Sequence, residues 1–396
     1  MYDLVIFGAT GYTGTLAVEY VANNYAKSIS WAIAGRSVTK LQRTKEIAGQ
    51  NYPNIIVADS SDKRSLQKMC NQTRVVATTA GPFSRYGSLL VEVCVDTGSD
   101  YCDIIGETSW VREMIANHDS DARATGARIV HLCGHDSVPW DLSTYKLAQH
   151  LAPEKISSVD FYDEIKSAPS GGTLETALGI MFGAEKNKKK SDRQLALGFD
   201  PLMTTLDGKE SNSGVSVKNV STLLTKGIMP RTLFFMSGVN AYTVKRSNAL
   251  NNYSGEGKKM RYCEGQAHGN VIAAIWSLLQ LAIFGICLYI PPLRYLMRKT
   301  ILPKPGQGPT KQQLEEGYLI VTGVAIGTQG TEIKSTMTFN VDPGYKDTAR
   351  MLVESALALS LDDVDCKGGV FTPGSCQKDK LFDRLMKTGT DFFIQN

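Results

Sequence analysis

Glycines at positions 8, 11 and 14 stand between an apolar run at residues 4–7 and a segment in which Leu16, Ala17, Tyr20 and Val21 recur at helical spacing. A chain turns that sharply from strand to helix only through residues that accept unusual backbone angles and put no side chain in the way. The stretch Gly8, Ala9, Thr10, Gly11, Tyr12, Thr13 and Gly14 therefore predicts a strand–loop–helix unit whose amides and positive helix end face an anion. Its spacing, G-x-x-G-x-x-G, is a neighbouring variant of the dinucleotide fingerprint G-x-G-x-x-G.

Apolar runs at 31–34, 55–58 and 75–79 repeat the strand signal, with helical patterns at 38–48 and 89–95 and shorter strands at 101–105 and 128–133. This alternation predicts a doubly wound parallel sheet ending near residue 140. Beyond it, residues 159–165 alternate, 174–182 read as helix and 186–193 as a lysine-rich loop. Strand patterns at 232–235, 241–245, 318–326 and 333–339 predict a second, largely antiparallel sheet. Helical periodicity returns at 347–358 and 380–386, separated by a turn at Thr372, Pro373 and Gly374. The expected fold class is α/β: a Rossmann-like doubly wound parallel sheet at the N-terminus and a second α+β domain with a mainly antiparallel sheet. The expected domains are 1–140 for the nucleotide, 141–345 for substrate and lipid association, and 346–396 as a helical tail packing back on the first domain.

The second strand ends in Ala34, Gly35, Arg36 and Ser37, where an enzyme selective for NAD would place a carboxylate for the ribose 2′-hydroxyl. Arg36 with Ser37 beside it instead suits a 2′-phosphate, which points to NADP(H). Asp59, ending the third strand, is placed to reach the adenine side, and Ala80, Gly81 and Pro82 follow the fourth strand where a nicotinamide would lie.

The charge balance, 43 basic against 39 acidic residues for a net +4, is far below what a chain neutralising a row of phosphates carries, so nucleic acid is not an expected partner. The eight cysteines are scattered with no C-x-x-C pair, and they read as reduced cytosolic thiols with no metal site. The first residues run straight into the apolar stretch at 4–7 with no basic leader, so no signal peptide is expected.

One segment does not fit an ordinary soluble enzyme. Residues 271–290 carry no charge, and as a helix they would reach roughly 30 Å, enough to cross a bilayer core. Lys258, Lys259 and Arg261 precede it, and Arg294, Arg298 and Lys299 follow it after Pro291 and Pro292. Full spanning would split the strands at 318–339 from the rest of their domain. The preferred expectation is therefore monotopic insertion of residues 271–298 into a lipid droplet or membrane surface facing the cytosol, with a buried core helix or a homodimer interface as the competing reading.

Several ordered motifs resemble the saccharopine dehydrogenase-like oxidoreductase family. They are the glycine loop, Gly81-Pro82-Phe83, the stretch from Tyr101 to Glu107 (Y-C-D-I-I-G-E), the stretch from Cys133 to Asp141 (C-G-H-D-S-V-P-W-D), Ser170-Gly171-Gly172-Thr173, Gly308-Pro309-Thr310, and Val370 to Gly374. The resemblance runs over essentially the whole chain. It implies a Rossmann domain joined to an α+β domain, NADP-linked oxidoreduction and, for the eukaryotic branch, association with lipid droplets and membranes. Bacterial relatives look like trans-acting enoyl reductases of lipid synthesis. His135 departs from the family's pattern, which has an aromatic or apolar residue before the Asp-Ser pair.

For the chemistry, hydride transfer belongs to the nicotinamide, so the protein needs to orient substrate and supply a proton. His135 and Asp136, after a strand end, and the phenol Tyr86 are the candidate donors, against a bland reading in which Asp136 or Ser137 caps the helix that Pro139 begins. Arg85 could grip an anion beside Tyr86. Asp103 and Glu107 more readily hold local backbone amides, and residues 170–173 read as a plain turn before an anion site. The leading expectation is an NADPH-dependent reductase of a lipid-soluble enoyl or keto substrate. The alternatives are a lipid-droplet-associated NADP(H)-binding scaffold without turnover and a soluble saccharopine-type amino-acid dehydrogenase, which would need a cluster of basic residues that the sequence does not show.

Overall fold

Strand β1 (Tyr2–Phe7) alternates between two cores: Leu4 and Ile6 point into one, Val5 and Phe7 into the other. All four are buried, as expected of a strand covered on both faces. In the computed structural model, which describes residues 1–25, 27–49, 53–167, 192–218, 229–300 and 308–395, this strand lies inside a seven-stranded sheet whose pairings are all parallel. It joins β2 (Trp31–Gly35), β3 (Asn54–Val57), β4 (Thr73–Thr78), β5 (Asp100–Asp103) and β6 (Arg128–Val130). The helices Tyr12–Asn24 and Thr348–Leu361 cover one face, and Ser88–Thr97 and Thr108–Thr125 the other. The expected α/β class with a doubly wound first sheet is what the chain adopts.

The second sheet holds β7 (Ile156–Lys166), β8 (Gly214–Val217), β9 (Arg231–Thr232), β10 (Lys259–Ala267), β11 (Tyr318–Gly327) and β12 (Glu332–Phe339). Pairing is antiparallel for β7–β11, β11–β12 and β9–β10, and parallel where β10 meets β7 and β8. The segment after residue 346 supplies strands as well as helices. Its β13 (Gly369–Phe371) extends the first sheet beside β6, and β14 (Thr390–Gln395) pairs antiparallel with β12 in the second. The last two strands of the chain thus tie both sheets together.

The structure corrects three readings. Residues 241–245 are not a strand but part of the helix Ser237–Asn251, and only Arg231–Thr232 of the neighbouring run pairs in the sheet. That helix is buried on nearly all sides, at Val239, Asn240, Ala241, Thr243, Val244, Arg246 and Ser247 among others, so its sequence lacks the one-sided polarity from which helical period is read. Strand β10, paired with β7 near the middle of the second sheet, went unread because Arg261 and Glu264 break its apolar pattern. Cys366 and Cys376, expected as separate reduced thiols, are joined as a disulfide with Cα atoms 5.5 Å apart. The readings at 170–173, 174–182 and 186–191 lie outside the described residues.

The apolar segment forms a helix, Val271–Tyr289, with Asn270 accepting the Ala273 amide as its N-cap, followed by the helix Pro291–Thr300. Only Ala274 and Leu288 of the first helix are buried, and Ile272 is 81% and Trp276 59% exposed. Within this chain it is not a core helix.

Candidate functional site

The glycine loop is shaped by close approach. Gly8 has φ +83°, a left-handed angle that a side chain resists, and a Cβ there would lie 2.8 Å from the Ala80 amide nitrogen. At Gly14 a Cβ would lie 2.4 Å from the Gly8 carbonyl oxygen and 2.8 Å from Thr79 Oγ1. Thr79 in turn donates to the Gly8 carbonyl at 3.1 Å, locking the end of β4 against the loop. The N-cap of the following helix is Gly11, which has no side chain to cap it, so the first-turn amides stay open for an anion. Thr10, Gly11, Gly81 and Pro82 are exposed along this cradle. The structure thus brings the residues Gly8 to Gly14 together with Ala80, Gly81 and Pro82.

Arg36 is exposed at the end of β2, beside Ser37, whose hydroxyl accepts the Lys40 amide and caps the helix Val38–Ile47. The Asp59 carboxyl is held below the ordinary range, first by the Ser61 amide and hydroxyl at 2.9 and 2.7 Å and then by the charge of Arg36, which therefore lies near it. An exposed guanidinium at the ribose end and an open helix N-terminus at the pyrophosphate fit NADP(H). Arg36→Asp should weaken NADPH by about 10- to 100-fold, the worth of a charge-assisted hydrogen bond, and NADH much less. Fluorescence titration with both nucleotides reads this, and equal weakening would remove the arginine from the phosphate site.

The loops after β5 and β6 close the far end of the sheet. Glu107 accepts the amides of Phe83 and Ser84 at 3.0 and 3.3 Å, fixing the loop that carries Gly81 and Pro82. Asp103 accepts the amides of Ile105 and Leu132 at 3.2 and 3.0 Å, the Tyr101 hydroxyl at 3.0 Å, and meets His131 Nδ1 at 2.6 Å. Both carboxylates are therefore structural ties. Tyr86 is 43% exposed on a one-turn helix after the same loop.

His135 and Asp136 differ sharply. His135 is buried, its Nδ1 has no hydrogen-bond partner, and burial pushes its pKa down to about 3. Its imidazole is neutral at physiological pH, so a donor role built on titration near neutrality does not apply to it. Asp136 keeps 42% of its side chain accessible, yet surrounding protein pushes its carboxyl up to about 6. Asp136 is thus part-accessible yet crowded by protein. Neither residue caps the following helix: Ser137 is the N-cap without a side-chain bond, and its hydroxyl donates to the Asp136 carbonyl at 2.7 Å.

Near Asp136 the second sheet contributes groups that were not singled out from the sequence. Asp163 on β7 accepts the Trp140 indole at 3.0 Å, and Glu264 on β10 accepts Asn240 Nδ2 at 2.7 Å and the Tyr262 hydroxyl. Burial pushes both carboxyls up, Glu264 to about 8, and each feels a further carboxylate: Asp163 that of Glu264, and Glu264 that of Asp136. Among the described residues, Asp163 Oδ2, Asn240 Oδ1, His135 Nδ1 and Arg231 Nε are all buried without a partner. The sequence did hold a signal. Val159, Phe161 and Asp163 share one face of β7, and Met260, Tyr262 and Glu264 share one face of β10, so each carboxylate sits at an apolar parity.

The cradle at the C-terminal edge of a parallel sheet, with the acids around Asp136 beside it, is the arrangement of a nucleotide-dependent oxidoreductase. The profile of the saccharopine dehydrogenase NADP binding domain matches residues 4–130. The trans-acting enoyl reductases of Mycobacterium leprae and Mycobacterium bovis are 31% and 32% identical over 409 and 412 residues, covering 98% of this chain and 96% of each relative. A Mycobacterium tuberculosis relative is 35% identical over 410 residues with the same coverage. The saccharopine dehydrogenase of Saccharomyces cerevisiae matches over 100% of both chains with a TM-score of 0.54 at 13% identity, a likeness of fold. The chain belongs to the family of the mycobacterial trans-acting enoyl reductases, saccharopine dehydrogenase-like NADP-binding oxidoreductases.

Proposed function

We propose that the protein reduces an enoyl or keto group of a lipid-soluble acyl substrate with NADPH, working at a lipid surface. The observation that carries this reading is Asp136, a part-accessible acid with a raised pKa in the loop after β6, at the edge of the first sheet that carries the cradle. Gly8 to Gly14, Arg36 and the residues Ala80 to Pro82 would hold NADPH, which supplies the hydride when bound. The protein's own part is the proton. For an enoyl thioester, the carbon–carbon π bond gives way to two C–H bonds, and Asp136 delivers the proton to the carbon next to the carbonyl. The resulting carboxylate regains its proton from solvent across its accessible side.

The surroundings of Asp136 also argue against a substrate bearing several carboxylates. Among the described residues there the guanidinium is Arg231, which is already engaged by Asp160 at 3.2 Å and by the Phe161 carbonyl at 3.2 Å. Support for the lipid surface comes from the exposed apolar helix Val271–Tyr289 and the basic residues of the helix after it. The test is NADPH consumption with crotonyl-coenzyme A and longer 2-enoyl and 3-keto thioesters, with and without vesicles. Turnover that rises with chain length is expected. Asp136→Asn should lower kcat by about 100-fold with NADPH affinity unchanged. NADPH binding without consumption of any of these compounds would favour a nucleotide-binding scaffold.

A further inference from the structure

The glycine loop and the loop that presents Asp136 follow different strands of the first sheet, yet one short segment from the end of the second sheet touches both. Asp342, three residues past β12, is fully buried. Its Oδ1 accepts the Ser167 hydroxyl at 2.7 Å just past β7, its Oδ2 accepts the Tyr345 amide at 2.8 Å, and its own amide donates to the Leu314 carbonyl at 2.8 Å. These bonds fix the single turn Pro343–Asp347 to the second sheet. From that turn Tyr345 meets the ring of Tyr12 edge-on, with centroids 5.4 Å apart. The Tyr12 hydroxyl donates to the Pro309 carbonyl at 2.6 Å, and a Cβ on Gly308 would fall 2.4 Å from the same ring, so only glycine lets the chain approach it there. Tyr12 opens the helix whose first-turn amides form the anion cradle. Its backbone belongs to the cofactor loop, and its side chain is held by Gly308, Pro309 and Tyr345.

The residue after the turn reaches the other loop. Thr348 gives its one hydroxyl proton to the Pro343 carbonyl at 3.0 Å, and its oxygen accepts the His135 amide at 3.1 Å. Its Cγ2 would lie 3.3 Å from a Cβ on Gly134, so the methyl group packs against the backbone just before His135. The neighbouring amides of that loop turn elsewhere: Cys133 to the Asp103 carbonyl at 2.7 Å, Ser137 and Val138 to the Gly134 carbonyl at 3.2 and 3.0 Å. The bond from His135 therefore ties the backbone beside Asp136 to the second sheet. We propose that Pro343–Asp347 and Thr348 form a bridge that fixes the Asp136 loop relative to the bound nucleotide, with Thr348 the positioning residue for Asp136 and Tyr12 the grip on the cofactor side. This deepens the reductase reading and rests on it for the role of Asp136. Nucleotide held by the first-turn amides steadies Tyr12, and the bridge carries that restraint to the His135 amide.

Hydrogen exchange of the full chain, with and without saturating NADPH, tests the bridge and needs no substrate. In the wild type NADPH should slow exchange in the segment 133–137 by about tenfold. Tyr12→Phe removes only the hydroxyl that reaches Pro309 and leaves the bond from His135 to Thr348 in place. Its exchange without nucleotide should match the wild type in this segment, and the NADPH effect there should be lost. Thr348→Val keeps the shape of the side chain and removes the acceptor, so the segment should exchange faster and no longer respond to NADPH. With both changes the response should be no smaller than with either alone, because they cut one link at two ends. In the crotonyl-coenzyme A assay Thr348→Val should lower kcat by about tenfold at unchanged NADPH affinity, and Thr348→Ser, which restores the hydroxyl, should recover most of it. The absence of an NADPH response in the wild-type segment would overturn the proposal. So would a response that persists in Tyr12→Phe, or a kcat that Thr348→Val leaves unchanged while the thioester is turned over. The expected exchange pattern without reduction of any thioester would support the bridge and overturn the reductase reading instead.

Discussion

Gly14→Val will abolish NADPH binding. The first carbon of the new side chain would fall 2.4 Å from the Gly8 carbonyl oxygen and 2.9 Å from the Ala9 Cα, both backbone atoms that cannot rotate aside. Because Gly14 sits in the first turn of the helix that receives the pyrophosphate, the clash is relieved by pushing the loop away from that helix end. Displacing the amides by even a fraction of an ångström forfeits several hydrogen bonds to an anion, so affinity should drop by about 100-fold or more. A melt in the absence of nucleotide separates loss of binding from unfolding, which matters because the loop is tied to β2 and β4 through Gly8. A folded Gly14→Val protein that binds NADPH normally would remove the cradle from the cofactor site.

The second large effect concerns the exposed helix. Replacing Ile283 and Phe284 by aspartate should release the protein from phosphatidylcholine vesicles containing anionic lipid, read by flotation. These side chains are 52% and 38% exposed, so neither change opens a cavity in the protein. Each apolar side chain that enters the lipid contributes about 1.5 kcal/mol or more, and losing both should cut partitioning by about 100-fold. The double variant should keep NADPH binding, because the cradle residues lie on the other sheet. Unchanged flotation would end the lipid reading, and loss of self-association in the same variant would favour a homodimer through this helix.

The two kinds of site were legible to different degrees. The cradle could be read because its constraints are local: one strand, three glycines and one helix start within fourteen residues, with Arg36 at the end of the next strand. The apolar helix was equally plain, as length and lack of charge are properties of a continuous segment. The acid cluster around Asp136 was only half visible. Asp136 was picked out because it follows a strand end, but its neighbours Asp163 and Glu264 come from strands 101 residues apart in sequence that pair only in the folded sheet. His135 was read for its usual titration range, and burial took it out of that range.

The helix Ser237–Asn251 shows the same division. Residues 241–245 carry β-branched and apolar side chains that read as strand, and nothing local contradicts this. What makes them helical is their packing in the fold, where polar as well as apolar side chains are buried on most sides and only a narrow strip around Gly238, Tyr242 and Lys245 reaches solvent, too little to set a period. Sequence alone determined the class of fold, the NADP(H) loop and the unpaired apolar helix, because each depends on residues within a few turns of one another. The tertiary structure alone decided which carboxyls meet, which of them are denied water and which single one stays open, because solvation is a property of a place in the fold and not of a residue type.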